Sequence, residues 1–363
     1  MNKWSQWKRA LRGLGIPERP RAERLSATGL AAEYGLGSTF TSAGIKDIST
    51  SGVYLTTEKH LRTGELITLI LREEVQPENS SELRISVQAQ VIRQGEDGVG
   101  LSFVLPVGME ANLWGVLVRS IVTLTSPEQV ADMFRTLRTI LFLCRLCPSG
   151  AEEAILLFDG QFENERVGRL AKIALAAENA LASEPEFDRR RAHPKLVGNI
   201  LRSGSWQPDE LITQLWTGLL ISSCLVDESD DSNQVFVDLL VHITPELAGI
   251  FTYACEQALG LAGETESSRS SSVVVTPEEL TALTGVSGAS RNAGNVAYLF
   301  NLGLIQKLPD VATYVPVEKI DITPTTTGLE LYKHCHGDHA KVDRQLLLSA
   351  AEQLRDFLPD LNQ

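Results

Sequence analysis

The chain lacks any apolar run long enough to cross a bilayer. Its longest uncharged stretch, Leu211 to Val226, is interrupted by Thr213, Gln214, Ser222 and Ser223, whereas a spanning helix needs roughly 20 mostly apolar residues. No signal-peptide pattern opens the sequence. Cysteine is scarce, with five scattered residues in 363. An odd, dispersed set argues against a disulfide framework and for reduced thiols, hence a cytoplasmic location. Basic charge is also short. The formal net charge is −13, and residues 1–118 hold 13 basic and 13 acidic side chains, so the whole acidic excess lies in residues 119–363. That half is a poor match for nonspecific nucleic-acid binding, because phosphate contacts need a basic surface. Catalytic signatures are missing as well. There is no Gly-x-Ser-x-Gly elbow, no Gly-x-x-x-x-Gly-Lys-Ser/Thr loop and no Gly-x-Gly-x-x-Gly. No pair of carboxylates stands apart from the many solvated ones, and an enzyme is not expected.

What remains is an ordinary globular composition, 43% hydrophobic and 22% charged, of a length that suits two or three domains. Residues 2–15 read as a short basic amphipathic helix. Trp4, Trp7, Leu11 and Leu14 share one face while Lys3, Lys8, Arg9 and Arg12 take the others. Such a helix can touch a membrane surface or pack its tryptophans onto the protein, and packing is the favoured reading. Between Leu25 and Val104 the signals are short β-type runs bounded by turn residues: Thr39–Ile48, Gly52–Thr57, Leu66–Leu71, Leu83–Ile92 and Val99–Leu105. Strands at this spacing predict an all-β barrel or sandwich, with the polar insert Glu73–Ser81 as a hairpin loop.

Beyond about Met109 the pattern turns helical. Ser126 can cap a helix that starts at Pro127. Further helices are expected over Asn164–Ala182, Pro194–Ser203, Pro208–Val226, Gln234–His242 and Pro245–Leu261. The Ser- and charge-rich stretch Glu264–Ser272 reads as a linker. After it, Thr276-Pro277-Glu278-Glu279 caps a short helix through Leu283, and Ser290–Leu302 makes a second. A strand at Val315–Thr323 and a helix over Thr325–Gly337 complete the order of a winged-helix unit. A last amphipathic helix covers roughly Lys341–Leu358.

The segment with the most chemistry is Lys46-Asp47-Ile48-Ser49-Thr50-Ser51-Gly52-Val53-Tyr54-Leu55, about twenty residues after Arg19, Arg21 and Arg24. Asp47 and Ser49 fall on one face of an extended chain, since side chains alternate with period 2. Gly52 permits a close backbone approach or a positive φ. The arginines can stack on bases and grip base edges or phosphates with a planar fork. These parts suit a small anionic nucleotide with exposed guanine faces.

The pattern Asp47-x-Ser49-x-x-Gly52 resembles the PilZ domain, a bacterial six-stranded barrel that binds cyclic di-GMP. The resemblance runs over roughly residues 19–118, and Gly98-Val99-Gly100-Leu101-Ser102-Phe103-Val104 looks like the last barrel strand. In that family an Arg-x-x-x-Arg motif before the first strand holds the guanines. Here Arg24 aligns with the second arginine and Pro20 with the first, while Arg19 and Arg21 flank the proline. The resemblance thus implies a ligand site of Arg19, Arg21, Arg24, Asp47, Ser49 and Gly52, with cyclic di-GMP as ligand and no other cofactor. Residues 195–335 also resemble, weakly, a family linked to abortive phage infection, Abi-alpha. The carrying segments are Leu215–Leu220, Phe236–Leu240 with Ile243-Thr-Pro245, and Ile322–Tyr332. They are packing and capping residues and imply fold rather than chemistry.

Three other groupings of reactive or charged residues stand out in the sequence. Cys144-x-x-Cys147 lies inside an apolar helix and reads as buried structural cysteine rather than half of a zinc or redox site. In His334-Cys335-His336-Gly337-Asp338-His339, adjacent ligand types diverge on a helix, so no metal is expected; the run Arg189-Arg190-Arg191 reads as a solvated helix end. The overall expectation is an α+β multidomain chain. It comprises an N-terminal helix in 1–18, a six-stranded PilZ-like barrel in 19–118, an all-α region in 119–262 and a linker in 263–275. A small winged-helix-like unit in 276–337 and a C-terminal helix in 338–363 follow. The expected function is cyclic di-GMP sensing, with the helical region passing the signal to a protein partner. The first alternative is a nucleotide-blind interaction scaffold, possibly in phage defence. DNA binding through Ser290–Asn301 is weaker, because that helix offers only Arg291 as a charge beside Asn292, Asn295 and Asn301.

Overall fold

The structure is a computed structural model that describes residues 24–27, 29–36, 39–73, 84–107, 109, 111–123, 126–148, 164–182, 184, 187–224, 229–264, 272–307 and 319–336. The expected helix in residues 2–15, the hairpin insert after Glu73, residues 265–271 of the linker, the first part of the strand expected from Val315, and the final helix therefore lie outside the described residues.

Six antiparallel strands close into a barrel in the order β1-β2-β3-β6-β5-β4. They are β1 (Leu30–Leu36), β2 (Thr39–Ile48), β3 (Gly52–Thr56), β4 (Leu66–Glu73), β5 (Arg84–Gln94) and β6 (Gly98–Val104). Five of them coincide with the expected runs to within two residues. The first, Leu-Ala-Ala-Glu-Tyr-Gly-Leu, has too few β-branched residues to announce itself. Tertiary pairing holds it instead: β1 lies between β2 and β4 and so closes the sheet. Glu33 on its outer face receives Arg72 from the adjacent β4 and Arg84 from β5 beyond it. Inside, alternate residues fill the lumen. Ala32, Leu55, Leu69, Ile85, Ala89, Val91 and Val99 are fully buried, as the period-2 pattern demands.

Helix α1 (Ala111–Thr123) follows the barrel and touches it at Phe103 and Thr50. Its Trp114 is fully buried and meets the Phe103 ring edge-on at 5.0 Å. The expected domain boundary at residue 118 falls inside this helix. Helix α2 (Pro127–Leu146) packs on α1 and on β5. Ser126 takes the N-cap backbone conformation, but its hydroxyl makes no cap hydrogen bond; Pro127 at the first position carries the start.

The helical region is organised around α5 (Glu210–Ser223), which packs against α3 (Asn164–Leu181), α4 (Pro194–Gly204), α7 (Pro245–Glu264) and α10 (Thr326–His336). A helix with neighbours on most sides must be apolar on most sides. Leu-Ile-Thr-Gln-Leu-Trp-Thr-Gly-Leu-Leu-Ile meets that condition, with Leu215, Leu219 and Leu220 fully buried. Asp209 caps it by accepting from the Ile212 N–H at 2.9 Å. Between α5 and α7 lies the short α6 (Gln234–Leu240). Helices α8 (Pro277–Thr284) and α9 (Ala289–Asn301) pack on α7, and a two-residue ladder joins β7 (Val274–Val275) to β8 (Ile320–Asp321). The Thr276 capping box is complete: Thr276 Oγ1 accepts from the Glu279 N–H, and the Glu279 carboxylate accepts from the Thr276 N–H. The buried side chains of barrel and helices form one contiguous cluster.

Candidate functional site

The β2–β3 connection is a tight turn built by Ser49 and Gly52. The Ser49 N–H donates to the Gly52 carbonyl at 2.8 Å. Its hydroxyl accepts from the Gly52 N–H at 3.2 Å and donates to the Gly52 carbonyl at 3.1 Å. Hydroxyl-to-backbone bonds of this kind stabilise turns, so Ser49 spends much of its hydrogen-bonding capacity locally. It also lies just past the end of β2 rather than on the strand with Asp47. Gly52 is required for space, not for a left-handed backbone: it is absent from the positive-φ glycines, and a Cβ there would collide with the Leu101 carbonyl oxygen on β6.

Arg24 is brought to this turn by its neighbour. Leu25 and Ile48 exchange two backbone hydrogen bonds, Leu25 N–H to Ile48 O at 2.8 Å and Ile48 N–H to Leu25 O at 3.0 Å. The arginine is thereby set beside Asp47, with Nη1 3.4 Å from Oδ2. Its side chain is 58% exposed, and an ion pair so open and so long is weak. The guanidinium can therefore exchange Asp47 for a ligand at little cost.

Arg24, Asp47, Ser49 and Gly52 line a single groove of about 330 Å³ on the barrel wall, within the range of small-molecule sites. Arg19 and Arg21 lie outside the described residues.

Sequence reasoning missed three further residues that line this groove, Tyr54, Arg93 and Gly100. Strand pairing sets Asp47 against Tyr54, Tyr54 against Gly100, and Gly100 against Arg93, one row across β2, β3, β6 and β5. Two bulges, between Ile45 and Asp47 and between Val91 and Arg93, place the two ends of that row; bulges re-aim side chains in this way. Tyr54 points away from the lumen yet is only 7% exposed. Lys46 Nζ and the Arg93 guanidinium carbon stand 5.4 and 5.6 Å from its ring centre. Its hydroxyl donates to Asp97 Oδ1 at 2.8 Å, while Lys46 Nζ reaches Asp97 Oδ2 at 2.5 Å. These bonds, Lys46 foremost, hold the Asp97 carboxyl below its ordinary value. The bond to Asp97 also raises the Lys46 ammonium and the Tyr54 phenol above theirs. One sequence signal was available: Tyr54 occupies the outward position between inward Val53 and Leu55, where a large aromatic needs a cover.

The other constellations do not assemble. Cys144 and Cys147 are fully buried, and desolvation pushes the Cys144 thiol up to about 11, far from thiolate chemistry. His334, Cys335 and His336 diverge. His334 stacks on Phe236 at 4.5 Å, Cys335 is in the core, and His336 stacks on Tyr332 at 4.1 Å. Among the described residues no three metal-ligand side chains cluster. On α9, Arg291 is engaged by Glu246 at 2.9 Å. Asn292 is 2% exposed and bonded to Thr281, Thr284 and the Val286 carbonyl. Asn292 is thereby committed to packing, while Arg291 stays 63% exposed. No described helix is long and apolar enough to cross a membrane.

Comparison with known proteins follows the same division. Residues 18–121 match the family model of the PilZ domain, and residues 165–339 match that of abortive infection alpha. The N-terminal segment thus carries a PilZ domain, whose barrel is the one described above. No curated protein matches the chain. Among solved structures, the crystal structure of an uncharacterized Legionella protein is similar at 21% identity, over 27% of this chain and 91% of that chain, with a TM-score of 0.19.

Proposed function

We propose that the chain is a cyclic di-GMP-responsive signalling protein, in which the barrel senses the nucleotide and the helical region passes the signal to a protein partner. One observation carries this reading: Arg24, Asp47, Ser49 and Gly52, which are scattered over 29 positions of sequence, line one groove beside the β2–β3 turn. The groove combines an exposed guanidinium, a carboxylate that can accept from a base edge, and a turn whose backbone approaches closely. Arg19 and Arg21 would join it from the segment preceding Arg24.

Transmission has a physical route. The turn that carries Ser49 and Gly52 also carries Thr50, whose methyl faces Gly115 of α1. Helix α1 packs on α2, and α2 on α3. A ligand that favours one turn geometry over another shifts the helices only if the two states differ in contact free energy, and the Thr50–Gly115 junction is where that difference would arise.

Calorimetric titration of the purified full chain with cyclic di-GMP tests the reading. Saturable binding that is lost in Arg24→Ala and in Asp47→Ala supports it. A flat baseline at high micromolar nucleotide rejects it and favours the second reading, a nucleotide-blind scaffold. That alternative draws on the abortive infection alpha match to residues 165–339, which covers most of the helical region.

A further inference from the structure

Three cations lie near the groove, and two of them have carboxylate partners. Arg24 has Asp47 and Lys46 has Asp97. Arg93 is exposed, lines the groove, and has no carboxylate partner among the described residues. Both oxygens of Asp97 are already taken, one by Tyr54 and one by Lys46. Arg93 is nonetheless not left to swing freely. Its guanidinium rests over the Tyr54 ring, an arrangement that attracts through the ring quadrupole. Its stem crosses β6 at Gly100, where any Cβ would stand 2.9 Å from Arg93 Cγ. The missing side chain on β6 is what allows the arginine to lie flat toward Tyr54 and the groove.

We propose that Arg93, laid across Gly100 toward Tyr54, is a ligand-binding residue of the groove that grips a phosphate of the nucleotide from the far end of the row that starts at Asp47, the partner of Arg24. The assignment rests on the cyclic di-GMP reading. A guanidinium held 5.6 Å from a ring centre and without a carboxylate partner keeps N–H donors available, and their planar fork matches two phosphate oxygens at once. Because it is pre-positioned, less side-chain freedom is lost on binding than for a solvated arginine. A doubly charged nucleotide needs more than one fixed cation, and Arg93 supplies one from a rigid strand.

The test is a cyclic di-GMP titration of the full chain at two salt concentrations, alongside Arg93→Ala, Arg93→Lys, Tyr54→Phe and Tyr54→Leu. Thermal melts serve as a folding control. Arg93→Ala is expected to weaken binding tenfold or more and to flatten its salt dependence, with Arg93→Lys intermediate. Tyr54→Phe, which keeps the ring, should bind nearly as the parent does, and Tyr54→Leu should lose several-fold. Parent-like affinity and salt dependence in Arg93→Ala would overturn this assignment while leaving the nucleotide reading intact. Weakened affinity with an unchanged salt dependence would overturn the phosphate contact in favour of a base contact. Failure of the unsubstituted chain to saturate would remove both.

Discussion

Gly115→Ala should act at a distance on the groove, and its size can be worked out from the packing. A Cβ at position 115 would lie 2.8 Å from Thr50 Cγ2 and 3.0 Å from Thr50 Cβ. Carbon atoms are comfortable at about 3.5–4.0 Å, so the turn or the helix must yield by nearly an ångström. Overpacking of this kind costs about 1–3 kcal/mol. Against it stands the better helix propensity of alanine, about 1 kcal/mol in a helix interior. The net expectation is a loss of about 0–2 kcal/mol, and the two contributions separate in a double-mutant cycle. Thr50→Ala removes the Cγ2 methyl, the closer of the two contacts, but keeps Cβ, so part of the propensity gain should reappear in Gly115→Ala/Thr50→Ala, with a coupling of about 0.5–3 kcal/mol between contacting sites. Urea unfolding of the four proteins supplies the cycle, and nucleotide titration of the same set supplies the functional arm. Affinity should fall in Gly115→Ala and recover in the double variant, because Ser49 and Gly52 belong to the displaced turn. The reasoning is refuted if Gly115→Ala is more stable than the parent by the full propensity gain and Thr50→Ala is additive with it, since α1 would then not bear on the turn.

Gly52→Ala sets a Cβ against the Leu101 carbonyl oxygen, and backbone cannot give way as a side-chain tip can. Loss of the barrel's cooperative unfolding transition, or at least of several kcal/mol on the order of the largest overpacking penalties, is expected in urea; a parent-like midpoint would contradict the close β3–β6 approach. Leu219→Ala, at a fully buried position of the central helix α5, should cost about 2–5 kcal/mol in the same assay, and a loss under 1 kcal/mol would mean that α5 is not the hub of the helical region. The Lys46–Asp97–Tyr54 cluster predicts a pH response. Asp97 is depressed, so its contribution is present above the ordinary carboxylate value and is lost as pH falls through the lowered one. Lys46 and Tyr54 are raised, so theirs hold below their ordinary values and are lost as pH rises through the raised ones. Asp97→Asn should bring the Tyr54 phenol back toward its ordinary value in alkaline ultraviolet titration, with Tyr54→Phe as the blank; an unshifted phenol would contradict the hydrogen bond.

The sequence was sufficient for whatever depends on local periodicity and turn chemistry. Five of the barrel strands could be placed from β-type runs bounded by turn residues, because a strand needs such residues between breaks in the chain direction. The Thr276 capping box and the apolar, nearly uninterrupted α5 were legible for the same kind of reason. The half-site Asp47-x-Ser49-x-x-Gly52 could be read because a tight turn needs those residue types at fixed offsets. Tertiary structure decided the rest. Strand β1 carries no β-type signal and exists because its two neighbours need a partner to close the sheet. Arg24 meets Asp47 through a two-bond bridge between Leu25 and Ile48, a pairing 23 positions apart. The row from Asp47 through Tyr54 and Gly100 to Arg93 depends on the register of four strands and on two bulges. No single segment encodes that register, because each strand's partners lie elsewhere in the chain and only the closed barrel aligns them.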